Sequence, residues 1–160
     1  MKIDNIRMRK SDIKLIEKYR EKRLRLGVFG SRSLKNEEAR EIIEKEIKEY
    51  EIGEIVTAGE IKGASEEARK LCKKLAIPLM VIFPDPRHGR GKYWHRSLKI
   101  IANSDRILLI WDGESRGTAG EIKLVKDCGI EYNLYQLKRK ISEFWELDED
   151  WDVMNDNNGI

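Results

Sequence analysis

Cysteine, histidine and long apolar runs are all scarce in this chain, and each shortage removes a class of function. The two cysteines, Cys72 and Cys128, both lie in helix-patterned stretches. They make neither a disulfide framework nor a metal-binding spacing, which predicts buried free thiols in a reducing, cytoplasmic setting. Histidine is limited to His88 and His95. No spacing of His, Cys and acids reads as a ligand cluster, so neither a metal nor a cofactor is expected. No stretch approaches about 18 consecutive apolar residues, so no membrane partner is expected. The opening MKIDNIRMRK is basic, but no long apolar run follows it, which predicts no secretory signal.

Charge, by contrast, is plentiful. Charged residues make up 38% of the 160 and hydrophobic ones 40%, as in a soluble single domain with a full core. The net charge of +3 hides a segregation: residues 1–25 carry ten Lys or Arg against four acids, and residues 141–160 carry seven acids and no Lys or Arg. The two ends can pair with each other or with a second subunit. A basic arm can also touch nucleic acid, but no helix-turn-helix, finger or aromatic-interleaved basic stripe accompanies it, which argues against that partner.

Hydrophobic patterning divides the chain into alternating elements. Residues 11–22 predict a helix opened by Ser11 or Asp12, with Ile13, Ile16 and Tyr19 on one face. RLRLGVFG, GEIVTAG, LMVIF, RILLIW and IEYNLYQL read as five strands, and RILLIW is apolar enough to be buried on both faces. Helices are predicted over NEEAREIIEKEIKEY, capped by Asn36 with Ile42, Ile43 and Ile47 inside, and over SEEARKLCKKLA. Two more follow over 92–103, bearing Leu98, Ile100 and Ile101, and over GTAGEIKLVKDCG. PDPRHGRG is a loop, and Pro78 stands at the onset of the third strand. Strand–helix alternation predicts an α/β fold, a three-layer Rossmann-like parallel sheet of about five strands with flanking helices. The expected divisions are a basic helical extension at 1–23, a nucleotide-binding domain at 24–147 and an acidic tail at 148–160. A short helix through Trp145 precedes that tail.

In such sheets ligands gather beyond the carboxyl ends of the strands. Three strand ends are glycine-rich: FGSRS with Gly30, TAGEIKGAS with Gly59 and Gly63, and WDGESRGTAGE with Gly113 and Gly117. Loops of this kind bring backbone amides together beside a helix N-terminus, where an anion is favoured. The spacing is neither the dinucleotide fingerprint nor the P-loop. Ser31, Ser115 and Thr118 offer hydrogen bonds to a phosphate, and Arg32 and Arg116 offer charge. Ser31 also suits a strand end, and Gly117 and Thr118 a helix cap, with no ligand. Glu121, expected in the first helical turn, either answers the helix dipole or stabilises an oxocarbenium-like sugar or orients a water. Arg96 and Lys99 fall three apart on one predicted face, and Arg96 can clamp a phosphate or a leaving base. Trp94, Tyr93 and Trp111 are aromatic surfaces for a base or for packing. His95 is a general acid–base candidate or a surface residue, and His88 a weaker one.

These segments together, VFGSRS, TAGEIKGASEEARKLCKKLAIP, NSDRILLIWDGESRGTAGEI and KDCGI, resemble the SLOG superfamily. That Rossmann-like group contains the DNA-processing protein DprA and the LOG phosphoribohydrolases. The GSR opening and DGESRGT ending look closest to its small YspA-like branch, and the resemblance spans roughly residues 24–135. It implies release of a base from a nucleoside 5′-monophosphate. Gly117, Thr118 and Glu121 fall on the family's G-T-x-x-E, with Glu121 as the catalytic glutamate. Arg96, nine residues before Asp105, takes the place of the catalytic arginine, and Gly30 and Ser31 match the first Gly-Ser loop. The chain departs from LOG enzymes in replacing P-G-G with a longer WDGES turn. Ser97 follows Arg96 and His95 directly precedes it. Both departures point away from cytokinin-type substrates.

The leading expectation is therefore hydrolysis of the N-glycosidic bond of a nucleoside 5′-monophosphate or related nucleotide, with Glu121 and Arg96 catalytic. Gly30, Ser31, Arg32, Gly59, Gly63, Trp94, Gly113, Ser115, Arg116, Gly117 and Thr118 are the expected ligand-binding residues. The alternative is a nucleotide-ligand sensor, which makes no chemical demand on Glu121. A DNA-binding module and a base-exchanging transferase stand behind these. A homodimer or higher homo-oligomer is expected from the resembled families.

Overall fold

The computed structural model describes residues 7–21 and 24–138. Within them the expected alternation is realised as helix α1 (Lys10–Glu21), strand β1 (Leu24–Gly30), α2 (Asn36–Glu49), β2 (Ile52–Ala58), α3 (Ala64–Leu75), β3 (Leu79–Ile82), α4 (Lys92–Ala102), β4 (Arg106–Trp111), α5 (Arg116–Cys128) and β5 (Glu131–Gln136). The PDPRHGRG loop contains a 3-10 turn, Pro86–Gly91, whose cap residue Asp85 accepts a hydrogen bond from the Arg87 amide at 3.0 Å. The five strands form one sheet in the order β3-β2-β1-β4-β5, and every pairing is parallel. The fold is α/β and Rossmann-like, with three layers.

The apolar run of β4 shows why. Ile107, Leu108, Leu109 and Ile110 are all fully buried, and a strand's side chains alternate between its two faces. Leu108 and Ile110 join Leu26 and Val28 of β1 in a core completed by Ala39, Ile43 and Ile47 of α2 and Ala68, Leu71 and Cys72 of α3. Ile107 and Leu109 join Phe29 of β1 in a second core with Ile100 of α4 and Ile122 and Val125 of α5. Thus α2 and α3 cover one face and α4 and α5 the other. The chain order along the sheet reverses between β1 and β4, which are directly paired through Val28 and Leu108. In open α/β sheets ligands commonly bind beyond the strand ends near such a reversal.

Several local expectations are corrected. Lys35, not Asn36, is the extended residue that caps α2. Lysine has no acceptor for the free amides, so Glu37 and Glu38 in the first turn answer the dipole instead. Helix α1 begins at Lys10, ahead of both proposed caps, and Asp12 reaches back from its first turn to accept from the Arg9 amide at 3.3 Å. Ile13 and Ile16 do share that helix, but both stay exposed. Leu98 is exposed while Ile100 is in the core, because only one stripe of α4 meets the sheet. The thiols also differ: Cys72 is buried, and desolvation pushes it up to about 11, whereas Cys128 at the last turn of α5 is exposed. The boundary at 147/148, the helix through Trp145 and the acidic tail lie outside the described residues. Among those residues, no helix is long and apolar enough to cross a membrane.

Gly30 is the tightest backbone approach in the sheet's centre. A Cβ there would lie 2.4 Å from Ala64 Cβ and 3.0 Å from Ile110 O, so α3 can start close to β1 only because residue 30 lacks one. Gly30→Ala is expected to lower the unfolding free energy by about 1–3 kcal/mol. Urea titration should read this as a lower midpoint with an unchanged slope.

Candidate functional site

All strands being parallel, the loops after β1, β2, β3 and β4 emerge along one edge, and the candidate residues lie there. The loops after β1 and β4 are tied together across the sheet. Ser31 Oγ lies 3.1 Å from Thr118 Oγ1 and accepts from the Asp112 amide at 3.2 Å. Ser33 Oγ donates to Asp112 Oδ2 at 2.6 Å, while Asp112 Oδ1 accepts from the amides of Glu114 at 2.9 Å and Ser115 at 2.7 Å. Ser31, Ser33, Asp112, Ser115 and Thr118 are all buried. The structure brings Ser31 and Thr118 together, but with their hydroxyls bonded to each other.

The glycines are also engaged by protein. Gly63 has φ +79°, and its Cα faces Ser31 O and the Arg32 backbone so closely that a Cβ would sit 2.5 Å from that oxygen. Gly113 abuts the Gln136 side chain, and Gly59 the ring of Phe83. Gly117 is buried in the first turn of α5. Arg116 is exposed at the start of that helix. Trp94 is half-buried, and Trp111 Nε1 donates to Ser115 O at 3.0 Å. His95 stacks on His88 with ring centroids 4.0 Å apart, on the exposed side of α4. Lys99 is exposed while Arg96 is buried, so the two do not share an environment.

Beside this network a cleft of about 260 Å³ opens between the loops after β1, β2 and β3 and the start of α4, lined by Arg32, Gly59, Glu60, Ile61, Phe83, Pro84, Tyr93 and Arg96. Arg96 Nη1 donates to Glu60 Oε1 at 3.2 Å, and both side chains are largely enclosed, 3% and 13% exposed. The main chain beneath Glu60 is clamped by Arg69 of α3, whose guanidinium donates to Ala58 O and Glu60 O. Burial pushes the Glu60 carboxyl above its ordinary range, against the opposing pull of Arg96, Arg32 and Arg69.

Glu121 is a second strongly perturbed acid. Helix α5 begins at Arg116, so Glu121 is its sixth residue rather than a first-turn acid. It is buried on the sheet side, beyond the reach of the helix dipole. Its Oε1 has no hydrogen-bond partner. Desolvation raises it to about 8, Arg96 pulling it down and Glu60 pushing it up. Glu121 does not line the cleft, but Arg96 and Glu60, which do, both act on its charge. A buried carboxyl holding its proton near neutrality, coupled to charged groups facing a cleft, is the pattern acid–base sites use.

Of the expected site residues, then, Arg32, Gly59 and Arg96 line the cleft, and Glu121 is joined to it electrostatically. Glu60 is the one sequence reasoning missed. It was visible as the sole acid of TAGEIKGAS, but nothing local pairs it with an arginine 36 residues on. Among the described residues no group of three or more His, Cys, Asp or Glu side chains is placed to hold a metal. Comparison with protein-family models, curated proteins and solved structures finds no match to the chain.

The Glu121 proton has a thermodynamic signature. Its folded value lies above the unfolded 4.5, so the folded state binds the proton more tightly. Any stability from this group is full below 4.5 and is lost as pH rises through about 8. Glu121→Gln, which never ionises, should therefore gain stability over the wild type progressively across that window. Denaturation midpoints of both proteins on either side of it check this, and a parallel pair of curves would contradict it.

Proposed function

We propose that the cleft binds a nucleoside 5′-monophosphate or a related nucleotide and hydrolyses its N-glycosidic bond. The observation that carries this reading is Glu121: a buried, proton-holding carboxyl with one unpartnered oxygen, coupled to the cleft through Arg96 and Glu60. The resemblance to the SLOG superfamily supports it, since Glu121 and Arg96 match the glutamate and arginine of the phosphoribohydrolases. The protein is read as a homo-oligomer on the same resemblance, and as cytoplasmic on its free thiols.

In this mechanism Glu121 gives its proton to the departing base as the bond between the base and C1′ breaks. The carboxylate left behind, steadied by Arg96, faces the sugar cation. Water then adds its oxygen to C1′, and its released proton returns to Glu121. Free base and a ribose 5-phosphate, or its deoxy counterpart, are the products. Arg32 and Arg96 carry the charge that holds the phosphate end, and Tyr93 and Phe83 offer aromatic faces at the rim for the base.

A second reading, a nucleotide sensor without chemistry, is favoured by one observation: Glu121 does not line the cleft. Chromatography after incubation with a panel of ribo- and deoxyribonucleoside 5′-monophosphates separates the two. The wild type is expected to release one free base. Glu121→Gln should retain binding and lose turnover, and Arg96→Ala should weaken both. The rate should also fall as pH rises through about 8, where Glu121 gives up its proton. Equal turnover by Glu121→Gln would end the hydrolytic mechanism, and intact nucleotides throughout would leave the sensor.

A further inference from the structure

The glycine loops that suggest a phosphate cradle are largely filled by the protein itself. Ser31 and Thr118 bond to each other, Gly63 packs on the Ser31 carbonyl, and Gly113 packs on Gln136. The strongly charged donors that face the cleft are Arg32 and Arg96, and one anion already lies on Arg96. Glu60 Oε1 sits 3.2 Å from Arg96 Nη1, and Arg32 adds its field from the neighbouring loop.

We propose that Arg32 and Arg96 form the binding site for the phosphate group of the ligand, that the Glu60 carboxylate occupies it in the free protein, and that phosphate binds by displacing Glu60. The inference rests on the reading that the cleft takes a phosphorylated sugar or nucleotide.

Three features carry it. Guanidinium groups recognise carboxylate and phosphate oxygens with the same planar fork, so one can stand in for the other. A phosphate brings up to two negative charges where Glu60 brings one, so exchange is favoured in a region held by Arg32, Arg69 and Arg96. Finally, the exchange needs only a side-chain rotation, because Arg69 fixes the backbone at Ala58 and Glu60. The rest of the ligand then meets Ile61 and Phe83, which are 78% and 68% exposed although they line the cleft. Glu60 is in this sense a gatekeeper for anions, and it sets affinity rather than performing chemistry.

The groups acting on Glu60 are Arg32 after β1, Arg69 on α3 and Arg96 on α4, and Glu60 in turn raises Glu121 on α5. Neutralising Glu60 removes the competitor and leaves the arginines. Calorimetric titration with ribose 5-phosphate and with inorganic phosphate tests this on the full chain. Glu60→Gln is expected to bind both about tenfold more tightly than the wild type, and Arg96→Ala to lose them. Should Glu60→Gln fold poorly, the wild type alone still decides. Its affinity for sulfate, an anion that does not itself titrate near neutrality, should rise as the pH is lowered and Glu60 takes up a proton. Equal or weaker binding by a folded Glu60→Gln protein, a flat sulfate profile, or no binding of any of these anions overturns the proposal. Neither sugar phosphate nor sulfate has a glycosidic base to lose, so the outcome is independent of turnover. Tighter binding in a protein that never releases a base would sink the hydrolase and keep the anion site. Base release by an enzyme whose Glu60→Gln variant binds no tighter would do the reverse.

Discussion

Asp112, at the end of the buried strand β4, is the group on which the arrangement of the site depends. One of its oxygens takes the Ser33 hydroxyl and the other takes two successive amides of its own loop. Ser31 accepts the Asp112 amide and meets Thr118. The side chains of Ser31, Ser33, Asp112 and Thr118 are buried, so each of their bonds left unmade would cost a desolvation penalty of about 1–3 kcal/mol. The network therefore holds the loop after β1 against the loop after β4 across the point where the sheet's chain order reverses. It also sets where α5 begins, and so how far along the helix Glu121 lies.

From that start, geometry passes to electrostatics. Glu121 is carried below the surface, where water no longer stabilises its charge and Arg96 compensates only in part. Arg96 is shared with Glu60, whose own loop is clamped by Arg69. Two carboxyls thus draw on one enclosed guanidinium, and each is driven toward its protonated form. Clusters of perturbed acids around one guanidinium are concentrated at functional sites.

Much of the fold was legible because burial follows a period. The run at 106–111 has no polar interruption between Ile107 and Ile110, and it is the strand enclosed on both faces. The errors lie where side-chain chemistry outweighs pattern. Asn36 looks like a cap, but Lys35 holds the extended geometry. Cys128 follows a helical pattern, but it falls at the end of α5 where no layer covers it.

The candidate site divides the same way. Glu121, Arg96, Arg32 and Gly59 could be singled out from glycine loops, strand ends and a family-like spacing. Each of those cues is local, and each marks a place on one edge of a parallel sheet. The partners could not be read that way: Ser31 meets Thr118 87 residues along, and Arg96 meets Glu60 36 residues back. Local sequence determines which face of a strand or helix is apolar, and hence the α/β layering. The packed structure alone decides which charges share a low-dielectric space. Desolvation and Coulomb interaction depend on distance through the molecule, not along the chain.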